Sequence, residues 1–224
     1  MLLADFGTSY CKILDTDKGH SPVILATREL DPDFCADLAT GHNAGRRSRK
    51  SINELTALAR GGEQLIDEPD FVLLDCGSRD IKFVRYTNNR ITDMGWNAEC
   101  GASMGFTIEL LKKYYDLDYD TIPVPGRGFS VTCGVLGISH IFDAVISGLS
   151  ETEAVARFVY GIAINGYRFA GSPDRLYLSG GLCDNPLFVG SFPCEVIKLG
   201  RFVLLEGLLE YLNRNKGLSK EWDD

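Results

Sequence analysis

The stretch LLADFGTSYCKILD, Leu2–Asp15, returns in altered form as VLLDCGSRDIKFVR, Val72–Arg85. Each copy reads as an apolar strand, an aspartate, any residue, a glycine, a serine or threonine, three further residues, and a lysine. Short apolar runs on either side of a glycine turn predict a two-stranded hairpin. Self-similarity of this kind marks a duplicated architecture. The expectation is therefore an α/β protein built from two related lobes, with a boundary near Glu68-Pro69.

Two facing Asp-x-Gly-Ser/Thr hairpins suit a nucleoside triphosphate. Glycine lets the backbone approach, turn N–H groups and hydroxyls bond phosphate oxygens, and the carboxylates hold Mg²⁺ through water. Asp5, Gly7, Thr8 and Ser9 belong to the first turn, and Asp75, Gly77, Ser78 and Asp80 to the second. Lys12 and Lys82 either lie near the phosphates or point into solvent. Asp-x-Gly is also ordinary turn chemistry, so two purely structural turns in a duplicated fold are the competing reading.

The remaining elements follow from periodicity and end signals. SPVILATREL suggests a third strand. SINELTALARGGEQLI has apolar residues at helical spacing, with Ser51 as N-cap, Glu54 three residues on, and Gly61-Gly62 at its end. An Asn88-Asn89 turn should lead to another strand ending near Trp96. Helices are expected over Phe106–Tyr115, Ile138–Gly148 and Glu151–Phe169, the last capped by Ser150 with Glu153. DRLYLSGGLCDNP reads as a strand entering a Gly180-Gly181 turn, and RFVLLEGLLEYLNRN as an amphipathic helix.

Composition narrows the function classes. The chain has 224 residues, 45% hydrophobic and 24% charged, and a net charge of −8. That balance argues against nucleic acid or an anionic membrane as partner. The basic run GRRSRK, Gly45–Lys50, reads as a solvated turn. No apolar stretch approaches the roughly 20 residues of a membrane helix, and no leader pattern opens the chain, so a cytoplasmic protein is expected. The seven cysteines include no C-x-x-C pair, so a self-contained zinc site is not expected. His20, His42 and His140 lack metal-ligand spacing; Cys183 and Trp96 read first as packing residues.

Cys100 and Cys133 stand apart. NAECGASMGF and VTCGVLG put each thiol among small residues at the start of an apolar helical pattern. A helix N-terminus lowers a thiol's pKa and favours anionic ligands. By themselves, two such cysteines are more often packed thiols.

The order DFGTSYCKILD, ATGHNAGR, INELTALARGG, LLDCGSRDIKFV, NAECGASMGF, SVTCGVLGISHIF, LSGGLCDNP resembles the activator ATPases of 2-hydroxyacyl-CoA dehydratases and benzoyl-CoA reductases. These belong to the actin, sugar-kinase and heat-shock-70 ATPase superfamily, and the resemblance spans nearly the whole chain. It implies a two-lobed actin-like ATPase fold with duplicated ribonuclease-H-like subdomains and mixed sheets. Residues 1–69 would form the first lobe, with the helix over 200–216 packing back on it, and 70–199 the second.

The resemblance also implies ATP or ADP with Mg²⁺ in the cleft. Asp5 and Asp80 would be catalytic, and Gly7, Thr8, Ser9, Lys12, Asp75, Gly77, Ser78, Gly180, Gly181 and Asn185 would contact the nucleotide. Cys100 and Cys133 match the family's cluster ligands. A homodimer would supply four thiolates to one four-iron, four-sulfur cluster. ATP would then drive a low-potential electron to a partner reductase or dehydratase, with a ferredoxin or flavodoxin upstream. Three departures are visible: Ser78-Arg79 replaces Gly-Gln in the family's D-I-G-G-Q-D turn, His140 replaces a glutamate, and Ser103 replaces a glycine. Loss of the glutamine predicts slower activation of water. The alternatives are a metal-free small-molecule kinase of the same superfamily and a catalytically weak regulatory relative.

Overall fold

The computed structural model describes residues 1–19, 21–97, 104–132 and 134–220. The first half opens with β1 (Leu2–Phe6), β2 (Tyr10–Asp15) and β3 (Val23–Ala26), followed by β4 (Ala36–Gly41), β5 (Ser48–Ser51) and α1 (Glu54–Leu65). The second opens with β6 (Phe71–Cys76), β7 (Ile81–Thr87) and β8 (Arg90–Asn97). It continues through α2 (Met104–Tyr114), α3 (Gly134–Ile146), α4 (Glu151–Phe169), β9 (Arg175–Ser179), α5 (Pro186–Gly190), β10 (Glu195–Gly200) and α6 (Val203–Lys220).

Each half makes one five-stranded sheet, ordered β3-β2-β1-β4-β5 and β8-β7-β6-β9-β10. The duplication extends to register. Asp5 pairs with Lys12 across β1 and β2, and Asp75 pairs with Lys82 across β6 and β7. Parallel β4 sets Thr40 beside Asp5, and parallel β9 sets Ser179 beside Asp75. Both halves thus carry mixed sheets built to one plan.

Side chains alternate across each strand, so β6 serves two cores. Val72, Leu74 and Cys76 join Leu176, Leu178 and the buried face of α4 on one side. Phe71 and Leu73 join Val84, Tyr86, Tyr177 and the apolar face of α1 on the other. In the first sheet Leu3, Leu14 and Leu38 pack against Leu205 and Leu208 of α6. The odd-numbered faces of β1 and β6 therefore look toward α6 and α1, and carry Asp5 and Asp75 with them.

α1 and α6 cross in backbone contact. A Cβ on Gly61 would sit 2.0 Å from the Val203 carbonyl oxygen, and one on Gly207 would sit 1.8 Å from that of Ala57. Only glycine fits at either position.

Several sequence expectations change. Asn53, not Ser51, caps α1 by accepting from the Leu55 N–H. Gly61 and Gly62 lie inside that helix, serving close packing instead of ending it. GRRSRK is a short turn followed by the edge strand β5, whose solvent-facing basic residues protect an open edge. α3 starts at Gly134 instead of Ile138. β4 and β10 are strands that the sequence pattern does not single out. Among the described residues no helix is long and apolar enough to cross a membrane.

Candidate nucleotide site

The two hairpin turns meet over one cavity of about 60 Å³, lined by Asp5, Gly7, Thr8, Ser9, Lys12, Asp75, Gly77, Ser78, Asp80 and Lys82, with Glu54 and Gly181. Four carboxylates and two ammonium groups crowd this space. Lys12 Nζ donates to Asp5 Oδ2 at 2.8 Å. Lys82 Nζ lies 2.7 Å from Glu54 Oε2, 2.7 Å from Asp80 Oδ1 and 4.0 Å from Asp75 Oδ2. Lys82 is buried and Lys12 largely so, and both line the cavity instead of pointing into solvent.

Burial alone would lower both lysine pKa values, but the facing carboxylates overcome that and raise them. Both stay charged at any physiological pH. The Glu54 pKa is raised as well: burial is the leading cause, Asp80 and Asp5 add to it, and Lys82 opposes them. The ion-pair set carries a net charge of about −2, which calls for a cation or a hydrogen-bond donor when an anionic ligand enters.

Every member is held by a local cause. Asp75 Oδ1 accepts from the buried Ser179 hydroxyl at 2.6 Å. Asp80 Oδ2 accepts from the Trp96 indole N–H at 2.8 Å. Trp96 is 43% exposed, so it is not a core residue, and it touches the site through Asp80. Gly180 has a φ of +89°, and a Cβ there would strike the Cys76 carbonyl oxygen at 2.4 Å. Its job is to let the chain after β9 cross the end of β6. Gly181 is the glycine that faces the cavity.

A second, larger cavity of about 410 Å³ adjoins the first and shares Tyr10, Gly181 and Arg201 with it. Asn185, Pro186, Lys112, Lys113 and Tyr119 complete much of its lining. Asn185 also caps α5, its Oδ1 accepting from the Phe188 N–H. Arg201 lies over the Tyr10 ring, 5.8 Å from its centroid, and pairs with Asp184. A phosphate-sized cleft thus opens beside a compartment large enough for a nucleoside.

At the mouth, Arg79 Nη1 lies 3.2 Å from His42 Nε2. His42, which lacks metal-ligand spacing in the sequence, lines the cleft with Arg79. Sequence reasoning also passes over Glu54, Ser179 and Glu109 as site residues. Glu54 is disguised by its place in a helix-start signature. Lys82, by contrast, was legible through its equivalence to Lys12 in the repeat.

The candidate cluster ligands Cys100 and Cys133 lie outside the described residues. Among the described cysteines, Cys11, Cys76 and Cys183 are buried. Burial pushes Cys11 and Cys183 up to about 12, with Asp5 and Asp184 adding to the effect, and holds Cys76 well above its ordinary value. These are packed thiols, as Cys183 was expected to be. Among the described residues no three His, Cys, Asp or Glu side chains are grouped as metal ligands.

No protein-family model matches the chain, and no curated protein matches it in sequence. Solved structures do. The activator of 2-hydroxyisocaproyl-CoA dehydratase from Clostridium difficile, determined with bound ADPNP, superposes with a TM-score of 0.76 at 19% identity, covering 99% of this chain and 98% of that one. Component A of (R)-2-hydroxyglutaryl-CoA dehydratase from Acidaminococcus fermentans gives 0.71 at 18% identity, covering 94% and 95%. The ethanolamine utilization protein EutJ from Carboxydothermus hydrogenoformans gives 0.52 at 12% identity, covering 92% and 87%. The fold is thus shared along nearly its full length with a dehydratase activator and a dehydratase component A, in agreement with the motif resemblance.

Proposed function

We propose that this chain is an ATP-dependent activator of a dehydratase or reductase. The observation that carries the reading is the duplicated Asp–Lys hairpin pair closing on one cleft, in a fold shared nearly end to end with a protein described as a dehydratase activator. ATP or ADP binds with its phosphates between the turns and its nucleoside in the adjoining cavity. The N–H groups and hydroxyls of Gly7–Ser9 and of Gly77-Ser78 take the phosphate oxygens, with Lys12 and Lys82 balancing charge. Gly181 and Asn185 face the nucleoside.

Mg²⁺ fits as a phosphate-bound ion held through water, because the site offers net negative charge without a ready-made ligand triad. When bound it neutralises phosphate charge. Asp5 and Asp80 orient the attacking water, and Glu54, with its raised pKa, is placed to accept a proton. Arg79 stands where the family carries glutamine, so hydrolysis is slow. The lobes, residues 1–69 with helix 200–216 and residues 70–199, close on the nucleotide, as hinge movements do around ligands generally.

The cluster reading is supported by the resemblance and by sequence position, since α3 begins at the residue after Cys133. One chain supplies two thiolates. A twofold-related copy supplies the other pair, so the protein would be a homodimer holding one four-iron, four-sulfur cluster. It would receive electrons from a ferredoxin or flavodoxin. Four exposed apolar residues on α2 and α3, Phe106, Leu110, Leu136 and Phe142, are available for that contact.

The test is iron and acid-labile sulfide content of protein purified without oxygen. About four of each per dimer, lost in Cys100→Ala and in Cys133→Ala, are expected. An iron-free protein that phosphorylates a metabolite would replace this reading with the kinase alternative. An iron-free protein without ATP turnover would leave a regulatory relative.

A further inference from the structure

Glu109 on α2 reaches both phosphate turns at once. Its Oε2 accepts from the Ser9 hydroxyl and its Oε1 from the Ser78 hydroxyl, each at 3.2 Å. Ser9 belongs to the first hairpin and Ser78 to the second. A single carboxylate therefore ties the two lobes together across the mouth of the cleft.

α2 is already fixed to the second turn by two other contacts. The Phe106 N–H donates to the Ser78 carbonyl at 2.8 Å. Gly105 lies so close to the Gly77 carbonyl that an added Cβ would come within 2.3 Å of its oxygen. Glu109 is the element that extends this attachment to the first turn. The cavity beneath, at about 60 Å³, has room for a few water molecules. Ser9 and Ser78 both line it.

We propose that Glu109 is a competing anion: it clasps the two turns in the nucleotide-free protein, and a polyphosphate must expel it to bind. The hydroxyls it occupies are the ones the phosphates need, and its charge has the same sign as theirs. In a partly buried site that repulsion is weakly screened. Expulsion releases α2 from the first lobe, so nucleotide occupancy is read by the helix that follows Cys100 in the chain. This rests on the nucleotide reading above.

The experiment is calorimetric titration of the full chain with ADPNP and with adenosine, both with Mg²⁺, using wild type, Glu109→Gln and Glu109→Ala. Both variants should bind ADPNP at least about threefold more tightly than wild type, with adenosine affinity unchanged. A merely structural role predicts weaker binding of both ligands. Unchanged or weaker ADPNP affinity overturns the clasp alone, whereas absence of ADPNP binding in every protein overturns the nucleotide reading with it. Hydrogen exchange on wild type gives a test independent of variant folding: ADPNP should alter exchange of the α2 amides, and binding that leaves them unaltered contradicts the proposal.

Discussion

The Trp96 indole N–H donates to Asp80 Oδ2 at 2.8 Å, while Asp80 Oδ1 accepts from Lys82. The Lys82 ammonium also lies 5.5 Å from the Trp96 ring centroid. A half-exposed indole is thus fastened to the carboxylate that stands at the second phosphate turn. Entry of Mg²⁺ and phosphate changes the field at that ring. Trp96 emission should shift when ADPNP binds, and the shift should survive Trp222→Phe, which removes the second tryptophan. Loss of the signal in Trp222→Phe, with binding retained, would show that Asp80 is not coupled to the ligand.

Lys82 is the only ammonium within reach of Glu54, Asp75 and Asp80 among the described contacts. Removing one partner of a buried charge set leaves the others uncompensated, which costs about 3–5 kcal/mol. Lys82→Met should lower the unfolding free energy from denaturant titration by that amount, and the double variant Lys82→Met with Glu54→Gln should recover part of it. Additive losses would mean that the two groups do not interact.

The α1–α6 crossing makes a steric prediction. Adding a methyl at Gly207 drives it into the Ala57 carbonyl, and at Gly61 into the Val203 carbonyl. Each alanine variant should lose at least about 1–3 kcal/mol, the cost of overpacking. Melting temperatures near wild type in both would show that the helices can slide apart freely.

Alkaline pH gives a signed test. Cys11 and Cys183 have folded pKa values near 12 against an ordinary 9.0, with burial as the first cause, and Cys76 is raised as well. Below pH 9 these thiols carry a proton in both states and contribute no slope. Between pH 9 and about 12 the unfolded chain loses protons that the native core keeps, so stability falls as pH rises. Each thiol accounts for at most about 1.4 kcal/mol per pH unit. Cys11→Ala and Cys183→Ala should each flatten the slope measured by denaturant titration; an unchanged slope would contradict the assignment.

The duplicated hairpins were legible because both copies keep aspartate, glycine, hydroxyl and lysine at one spacing, and that pattern survives without any alignment. The strands β4 and β10 were not. ADLATG and EVIKLG are short and lack clean alternation, and their partners are distant in sequence. Ser51 and Asn53 are both good caps two residues apart, and only the observed Asn53–Leu55 hydrogen bond distinguishes them. Glu109 was invisible for another reason. Its neighbours on α2 give an ordinary amphipathic pattern, and its importance arises from two serines 100 and 31 residues away. A sequence pattern reports faces of helices, and contacts at such separations depend on how the lobes meet.

The most direct measurement is titration of the wild-type chain with Mg²⁺ and ADPNP, followed by calorimetry and by thermal unfolding. The account predicts one ADPNP per chain, a rise in melting temperature with ligand concentration, and weakened binding in Ser78→Ala. No heat, no stabilisation, or binding indifferent to Ser78 would contradict the claim that the two hairpins form a phosphate cleft.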